Sequence, residues 1–547
     1  MDRNGSIAGM PPRRRLHPHR ATAHLTLRLA GDVRHRRRTR QTHDTLTCAM
    51  TDQQPSRAID TRIARNGQKI DRERHRKLRN LRLAGCEPFP VVHLPRRLLT
   101  AEVCALHDPR QLAPGEHSRW RYTVAGRLVG RRKHRHAMFL DLRDESGTIE
   151  LCVRPDVLEG VKCVQLRGAD MGDIVCAEGT VYVTDNHELT LSVTSSRLLA
   201  KALRSPPARH PEAMSGNRRT LDLLANERTR RIFKARSTIT GAMRGWMSSH
   251  AFIEVEGPIL QPAADGTDAR SLAATPSEHP SWTATLRSSS RSYLRRCLLG
   301  GLEKVYELGS CFTADRRSRV QAHELTLLEW AAAYCDYTEA AGQAEQLILH
   351  AAASIAPRLQ LQWRDSSIDL HGPWRTMTVR EGIEERCGLD VLTADTCVLA
   401  RQSRAREGAE DDSWGALVNA LYEDLVEPTL IQPTVVYDFP LAGQELARRH
   451  PIDHRLASSF RVIIGGIEVA RGVGELNDPH EQLERLAARS SASASGRGTP
   501  APPDHELLLL EYGLCPAASA RLHVDRLLML LSESSSVHEV IPFPLRH

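Results

Sequence analysis

The chain has 547 residues, 41% apolar and 26% charged, with a formal net charge of +9. That length supports two or three domains, each with its own core. No run approaches the roughly 20 uninterrupted apolar residues of a membrane helix, so an integral membrane protein is excluded and a cytoplasmic one expected. Twelve cysteines, among them Cys48, Cys86, Cys104 and Cys152, form no CxxC pair, which argues against a zinc or redox motif.

In chain order, residues 1–49 carry eleven arginines against Asp2, Asp32 and Asp44, so about eight of the nine excess charges lie there. Such an arm could grip RNA phosphates. It lacks the apolar core of an export signal, however, and Met50 opens "MTDQQPSRAID" as a second start. Residues 1–59 are therefore expected to be disordered or to lie outside the native protein. Residues 60–118 form a helical segment, in which 61–85 read as one exposed, charge-dense helix with Ile70, Leu78, Leu81 and Leu83 on a sparse apolar stripe and Gly85 as its stop.

Over residues 119–200 the apolar period switches to two: "YTVAGRLVG", "AMFLDLRD", "TIELCVRP", "DIVCAEGTVYVT" and "LTLSVTSSRLLA", with Gly147, Gly179 and Asn186 at turns. Five strands with a helical insert near 156–166 predict a Greek-key OB-fold barrel, although periodicity alone allows another small barrel. Residues 201–220, containing "KALRSPPARHPE", read as a linker. From 221 to 547 a long amphipathic helix, "ERTRRIFKARSTITGAMRGWMSSHAF", precedes mixed strands and helices without a βαβ rhythm, which predicts an α+β domain on an antiparallel sheet. Residues 489–506 are low in complexity and are expected to form a disordered insertion. No GxGxxG or GxxxxGK[ST] fingerprint is present.

Ordered segments then carry a resemblance. These are "VAGRLVGRRKHRHAMFLDLRDESGTIELCV" in the barrel, "FIEVEGPIL" as motif 1, and "GGLEKVYELGSCF" running into "HELTLLEWAAAYCDY" as motif 2. "LIQPTVVYDFP", "IIGGIEVARGVGELNDPHEQLERL" and "DRLLMLLSESSSVHEVIPFP", the last as motif 3, complete the series. From about Arg72 to Pro544 the chain resembles the class II lysyl-tRNA synthetases. The resemblance implies an anticodon-binding OB-fold, a six- to seven-stranded antiparallel catalytic sheet, and a homodimer through motif 1. It also implies ATP-dependent formation of lysyl-adenylate with Mg2+, followed by transfer to the lysine tRNA. That chemistry rests on positioning and on cations that neutralise phosphate charge.

By the same resemblance, Glu329 and Glu475 hold the lysine ε-ammonium, and Glu468 is one of two magnesium-binding carboxylates. Arg526 covers the adenine and reaches the γ-phosphate; Arg270 follows motif 1; Asp315 stands in place of a glutamate. Several positions depart from the family. Thr313 replaces the motif 2 arginine, a loss worth roughly 2.7–4 kcal/mol of transition-state stabilisation. Leu325 replaces an adenine-stacking ring, and Gln321 a histidine. Arg291 replaces the glutamate for the substrate α-ammonium, and Arg461 the second magnesium carboxylate, which a guanidinium cannot imitate. Arg471 and Val473 replace an asparagine and a phenylalanine of the lysine site. Ser519, Arg521 and His523 replace motif 3 glycines that let backbone pass close to ATP.

On the barrel, Phe139 keeps the ring that stacks on a central anticodon base, and Arg127, Arg131 and Arg132 offer phosphate contacts. Glu150 replaces a glutamine that reads uracil; a carboxylate accepts but cannot donate. Three functions remain open: a working lysine–tRNA ligase, a noncatalytic tRNA-binding or regulatory paralogue, and a ligase for another amine or acceptor. The charge pattern favours a copy impaired in catalysis.

Overall fold

The computed structural model describes residues 71–545 apart from 109–111, 135–136, 155–165, 167, 208–217, 262–271, 275–283, 315–317, 403–412, 445, 493–506 and 508–509. The extension 1–59 and most of the helical insert near 156–166 thus lie outside the described residues.

Strands β1 (His117–Lys133), β2 (Met138–Arg143), β3 (Thr148–Val153), β4 (Ile174–Val183) and β5 (Leu189–Ala200) close into a barrel in the order β1-β2-β3-β5-β4. Period two sets its faces: Met138, Leu140 and Leu142 of β2 point inward, and Phe139, Asp141 and Arg143 outward. A Cβ at Gly179 would lie 1.9 Å from the Ser192 carbonyl oxygen, so the close approach of β4 to β5 at this register shift needs glycine.

Two helices precede the barrel, α1 (Arg72–Leu83) and α2 (Thr100–Ala105). The expected fully exposed helix is corrected here. Arg74 is buried and donates to the carbonyls of Met171 (2.8 Å) and Ala202 (3.1 Å) and to the Ser205 hydroxyl (2.8 Å). A charge-dense stripe hides one inward arginine because its stem packs while its fork finds backbone acceptors. Beside it, Lys201 is buried against Asp170 (2.7 Å) and Asp173 (2.9 Å), and Lys77 meets Asp170 at 2.5 Å.

The second domain begins with α3 (Arg218–Ala225) and α4 (Glu227–Ser249), the latter capped by Asn226, which accepts from Arg228 N at 3.0 Å. Next come β6 (Ile253–Glu254), a small sheet of β7 (Leu260–Gln261), β8 (Leu272–Ala274) and β9 (Ala284–Leu286), then α5 (Arg291–Leu299), β10 (Lys304–Phe312), β11 (Glu324–Ala333) and α6 (Tyr337–Ala353). The hairpin β12 (Gln360–Trp363) and β13 (Ser366–Asp369) leads to β14 (Arg375–Thr378), α7 (Val379–Cys387), α8 (Thr396–Gln402), α9 (Trp414–Leu421) and β15 (Thr434–Tyr437). The chain ends with β16 (Ser459–Ile464), β17 (Ile467–Gly474), α10 (Pro479–Ala492), β18 (Ala517–His523), α11 (Val524–Leu531) and α12 (Val537–Val540).

The central sheet has eight strands, ordered β14-β15-β16-β17-β18-β11-β10-β6, not six or seven. Its middle is antiparallel, while the edge pairs β14·β15 and β10·β6 are parallel. Of the residues expected to form a disordered insertion, 489–492 belong to α10 and 493–506 lie outside the described residues.

One face of the sheet packs on α4, α6 and α11, where Ile239, Met243, Leu347, Ile348, Leu527 and Leu528 bury against Trp330, Val462 and Leu522. The last strand shows how the opposite face is set apart. In "AASARLH", Ala518, Ala520 and Leu522 join this core, and alternation sends Ser519, Arg521 and His523 the other way. Among the described residues no helix is long and apolar enough to cross a membrane.

The Lys201 cluster generates a stability prediction. Asp173→Ala leaves a buried ammonium short of one carboxylate and should cost about 3–5 kcal/mol. A denaturant titration followed by circular dichroism measures it; an unchanged midpoint would contradict it.

Candidate functional site

Strand register places five charged residues side by side in one row across the sheet. Arg461 of β16 is opposite Arg471 of β17, Arg471 opposite Arg521 of β18, Arg521 opposite Glu329 of β11, and Glu329 opposite Glu307 of β10. Directly opposed residues share a face. The β16–β17 register is fixed by a two-residue turn, Gly465–Gly466, with φ of 65° and 70°, a conformation suited to glycine. A bulge between Val462 and Ile463 then reverses the alternation of β17, so Glu468 and Arg471, three apart, meet at 2.6 Å.

Each carboxylate near the row is already engaged. Glu307 pairs with buried Arg287. Glu329 accepts from the Ser289 hydroxyl (2.6 Å), the Ser290 hydroxyl (2.8 Å) and Ser290 N (2.5 Å). Glu475 meets Arg291 Nε at 2.7 Å and Arg295 Nε at 3.2 Å and accepts from Ser519. Burial pushes the Glu475 carboxyl upward, but Arg291 and Arg295 outweigh it and hold it below the usual range. Glu468 behaves likewise: burial raises it, yet Arg471 and Arg461 hold it well below.

Arg461 lies 3.5 Å from Glu468, 3.3 Å from Glu423 and 4.0 Å from Glu427, with its guanidinium 4.3 Å over the Phe439 ring. Burial and the Glu468 charge push Glu427 up to about 7. His523 is driven down to about 3 by burial and by Arg526, so it is neutral at pH 7; its Nε2 is 3.7 Å from Glu468.

These groups surround a cavity of about 390 Å³, lined by Arg291, Thr313, Leu325, Glu329, Arg471, Val473, Ser519, Arg521, His523 and Arg526. The sequence-predicted positions therefore converge on one site, with Glu468 and Glu475 just behind its wall. Arg526 spends its fork on the carbonyls of Glu468 (2.8 Å) and Val320 (3.2 Å) and on Gln321 Oε1 (3.0 Å). Its neighbour Asp525 accepts from Thr326 N (2.7 Å) and Arg236 (2.6 Å), tying α11 to β11 and α4. Asp315 and Arg270 lie outside the described residues.

Sequence reasoning missed Arg295, the serine cradle of Glu329, and the Glu423 and Glu427 partners of Arg461. Only Arg295 had a signal, its i,i+4 spacing from Arg291 on one helix face. The magnesium expected at Glu468 does not fit. The carboxylate is held by two guanidiniums, its expected partner is one of them, and no three His, Cys, Asp or Glu side chains among the described residues are placed to hold a metal.

On the barrel, Arg132 is opposite Phe139, and Glu150 opposite Asp141, all on the outer face. Phe139 is half-buried with His134 edge-on at 5.4 Å. Glu150 pairs with Arg132 and accepts from Thr190 at 3.0 Å. The three arginines expected to meet phosphate differ in their surroundings. Arg131 donates to Ala169 O (2.9 Å) and Arg127 to Gly172 O (2.7 Å), carbonyls of the turn that precedes β4, whereas Arg132 is exposed on the outer face.

A family model of class II tRNA synthetases (D, K and N) matches residues 211–547, and one of OB-fold nucleic-acid-binding domains matches 122–199. The barrel, the sheet and these matches define a class II aminoacyl-tRNA synthetase architecture. The chain is 35% identical to a lysine–tRNA ligase of Carboxydothermus hydrogenoformans, over 77% of this chain and 88% of that one. It is 31% identical to those of Staphylococcus haemolyticus (86% and 97%) and Bacillus subtilis (86% and 96%). It belongs to the lysyl-tRNA synthetase family.

Glu427 supplies a pH prediction. Its folded value, about 7, lies above the ordinary carboxylate value of 4.5. A raised acid binds protons more tightly when folded, so its contribution is full below pH 4.5 and is lost as pH rises through 7. Glu427→Gln should therefore raise the melting temperature at pH 8 and leave it nearly unchanged at pH 4, as differential scanning fluorimetry would show.

Proposed function

We propose that this chain is a lysyl-tRNA synthetase relative that binds tRNA through its barrel and does not form lysyl-adenylate at the family's rate. One observation carries the reading: the two glutamates expected to hold the lysine ammonium are already engaged by the protein's own groups, Glu475 by guanidinium charge and Glu329 by hydrogen bonds. Glu475 is bracketed by Arg291 and Arg295, and Glu329 is filled by Ser289 and Ser290. For lysine to bind, its ammonium must displace the buried guanidinium of Arg295 and the half-buried one of Arg291, and enter a site where like charge costs several kcal/mol.

The ATP side supports the same reading. Thr313 brings no charge to the α-phosphate, and Arg521 and His523 project into the cavity where the family's glycines leave room. With Glu468 held by Arg461 and Arg471, and Arg461 in place of the second magnesium carboxylate, the ion that would neutralise phosphate charge loses its ligands. The competing reading, a ligase for another amine, needs a free carboxylate, and the described part of the cavity wall offers none.

Support for tRNA binding lies in Phe139 and Arg132, adjacent on the outer barrel face. Self-association through motif 1 is part of the proposal: Ile253, Ile259 and Leu260 leave about half of their surfaces exposed there (49%, 47% and 49%).

Lysine-dependent ATP–pyrophosphate exchange tests the catalytic half. The chain should give background exchange with lysine, and Thr313→Arg alone should not restore it, because Arg291, Arg521 and His523 remain. Robust exchange by the unaltered chain would overturn the proposal. For the binding half, Phe139→Ala should weaken tRNA binding roughly 5- to 150-fold, the equivalent of 1–3 kcal/mol for one stacked base. Filter binding at fixed salt reads it, and unchanged affinity would remove Phe139 from the interface.

A further inference from the structure

The row of charges contains one member without a hydrogen bond or ion pair among the described residues, although Glu329 stands opposite it. Arg461 has Glu423, Glu427 and Glu468; Arg471 has Glu468; Glu307 has Arg287; Glu329 has its serines. Arg521 stands between Arg471 and Glu329 and lines the cavity, yet it makes no hydrogen bond or ion pair with any described residue. Its Nε is buried without a partner. A guanidinium brings five donors in a fixed fork that matches an oxyanion two-pronged. Leaving it desolvated beside a second arginine is unfavourable, and an anion entering from the cavity would relieve both the missing bonds and the Arg471–Arg521 repulsion.

We infer that the cavity is an oxyanion site, in which Arg521 receives the carboxylate or phosphate group of a small anionic ligand. This rests on the reading that lysine is not the ligand, and it goes further by naming the opposite charge. The size suits a small molecule: about 390 Å³, at the small end of ligand pockets. Leu294, Leu325, Leu327 and Val473 offer an apolar wall for the body of the ligand, while Arg291 and Arg526 add positive potential at the rim of the same space. No carboxylate on the described wall competes for the fork, because the Glu329 oxygens are turned to Ser289 and Ser290.

The test is a thermal-shift titration of the full chain, without magnesium and at low salt, with glutarate, inorganic phosphate and lysine as separate probes. Saturating glutarate or phosphate should raise the midpoint on the order of 2–4 °C, and lysine should not. Which anion acts distinguishes a carboxylate ligand from a phosphate one. The shift should vanish in Arg521→Gln and persist in Arg521→Lys, with tRNA binding unchanged in both as the check on folding. No shift with either anion, or an equal shift in Arg521→Gln, overturns the site. Background exchange with no anion response would sink this inference alone, whereas a shift with lysine accompanied by exchange would sink the functional reading as well.

Discussion

Three arginines directly abreast on neighbouring strands are the constraint to which the rest of the cavity answers. Like charges in opposed cross-strand positions destabilise a sheet, and here Arg461, Arg471 and Arg521 lie on a half-buried surface where water screens them poorly. The fold balances them with whatever carboxylates are within reach. Glu468 is drawn to Arg471 and Arg461 across the β17 bulge, and Glu423 and Glu427 close around Arg461 from the segment after α9. The second arginine group, Arg291 and Arg295 on α5, takes Glu475 in the same manner. The carboxylates that the family resemblance assigns to an ammonium or a metal, Glu475 and Glu468, here hold the protein's own cations.

This gives the family resemblance a physical reading. Scaffold and chemistry separate here. The eight-stranded sheet, the barrel, and the Asp525–Arg236–Thr326 link that seats α11 are built from burial and backbone hydrogen bonds, and they survive changes in the cavity. Charge at the cavity depends on a few side chains, and each arginine gained there alters what the site attracts. A buried carboxylate paired to two guanidiniums is strongly held, because freeing it leaves charges uncompensated on both sides.

Much of the fold was legible in the sequence. The period of two in segments such as "MFLDLR" marked the barrel strands, and the mixed helix–strand order pointed to an antiparallel α+β domain. The parallel edge strands β14 and β6 were not legible, since segments of four and two residues carry no reliable period. At the site, the arginine positions were each visible as departures, but not their adjacency. That depends on register across four strands and on a bulge, neither of which leaves a local mark in sequence. Pairing was equally hidden: whether Arg131 reaches RNA or Ala169 O, and whether Arg74 is solvated or buried, turns on tertiary acceptors far along the chain.

Glu475 is ion-paired and Glu329 hydrogen-bonded within the protein. A crystal structure of the chain grown in saturating lysine tests it most directly. Glu475 should still be bridged to Arg291 and Arg295, and Glu329 still held by Ser289 and Ser290, with no lysine between them. A lysine ammonium seated between the two carboxylates, with the guanidiniums turned away, would contradict it.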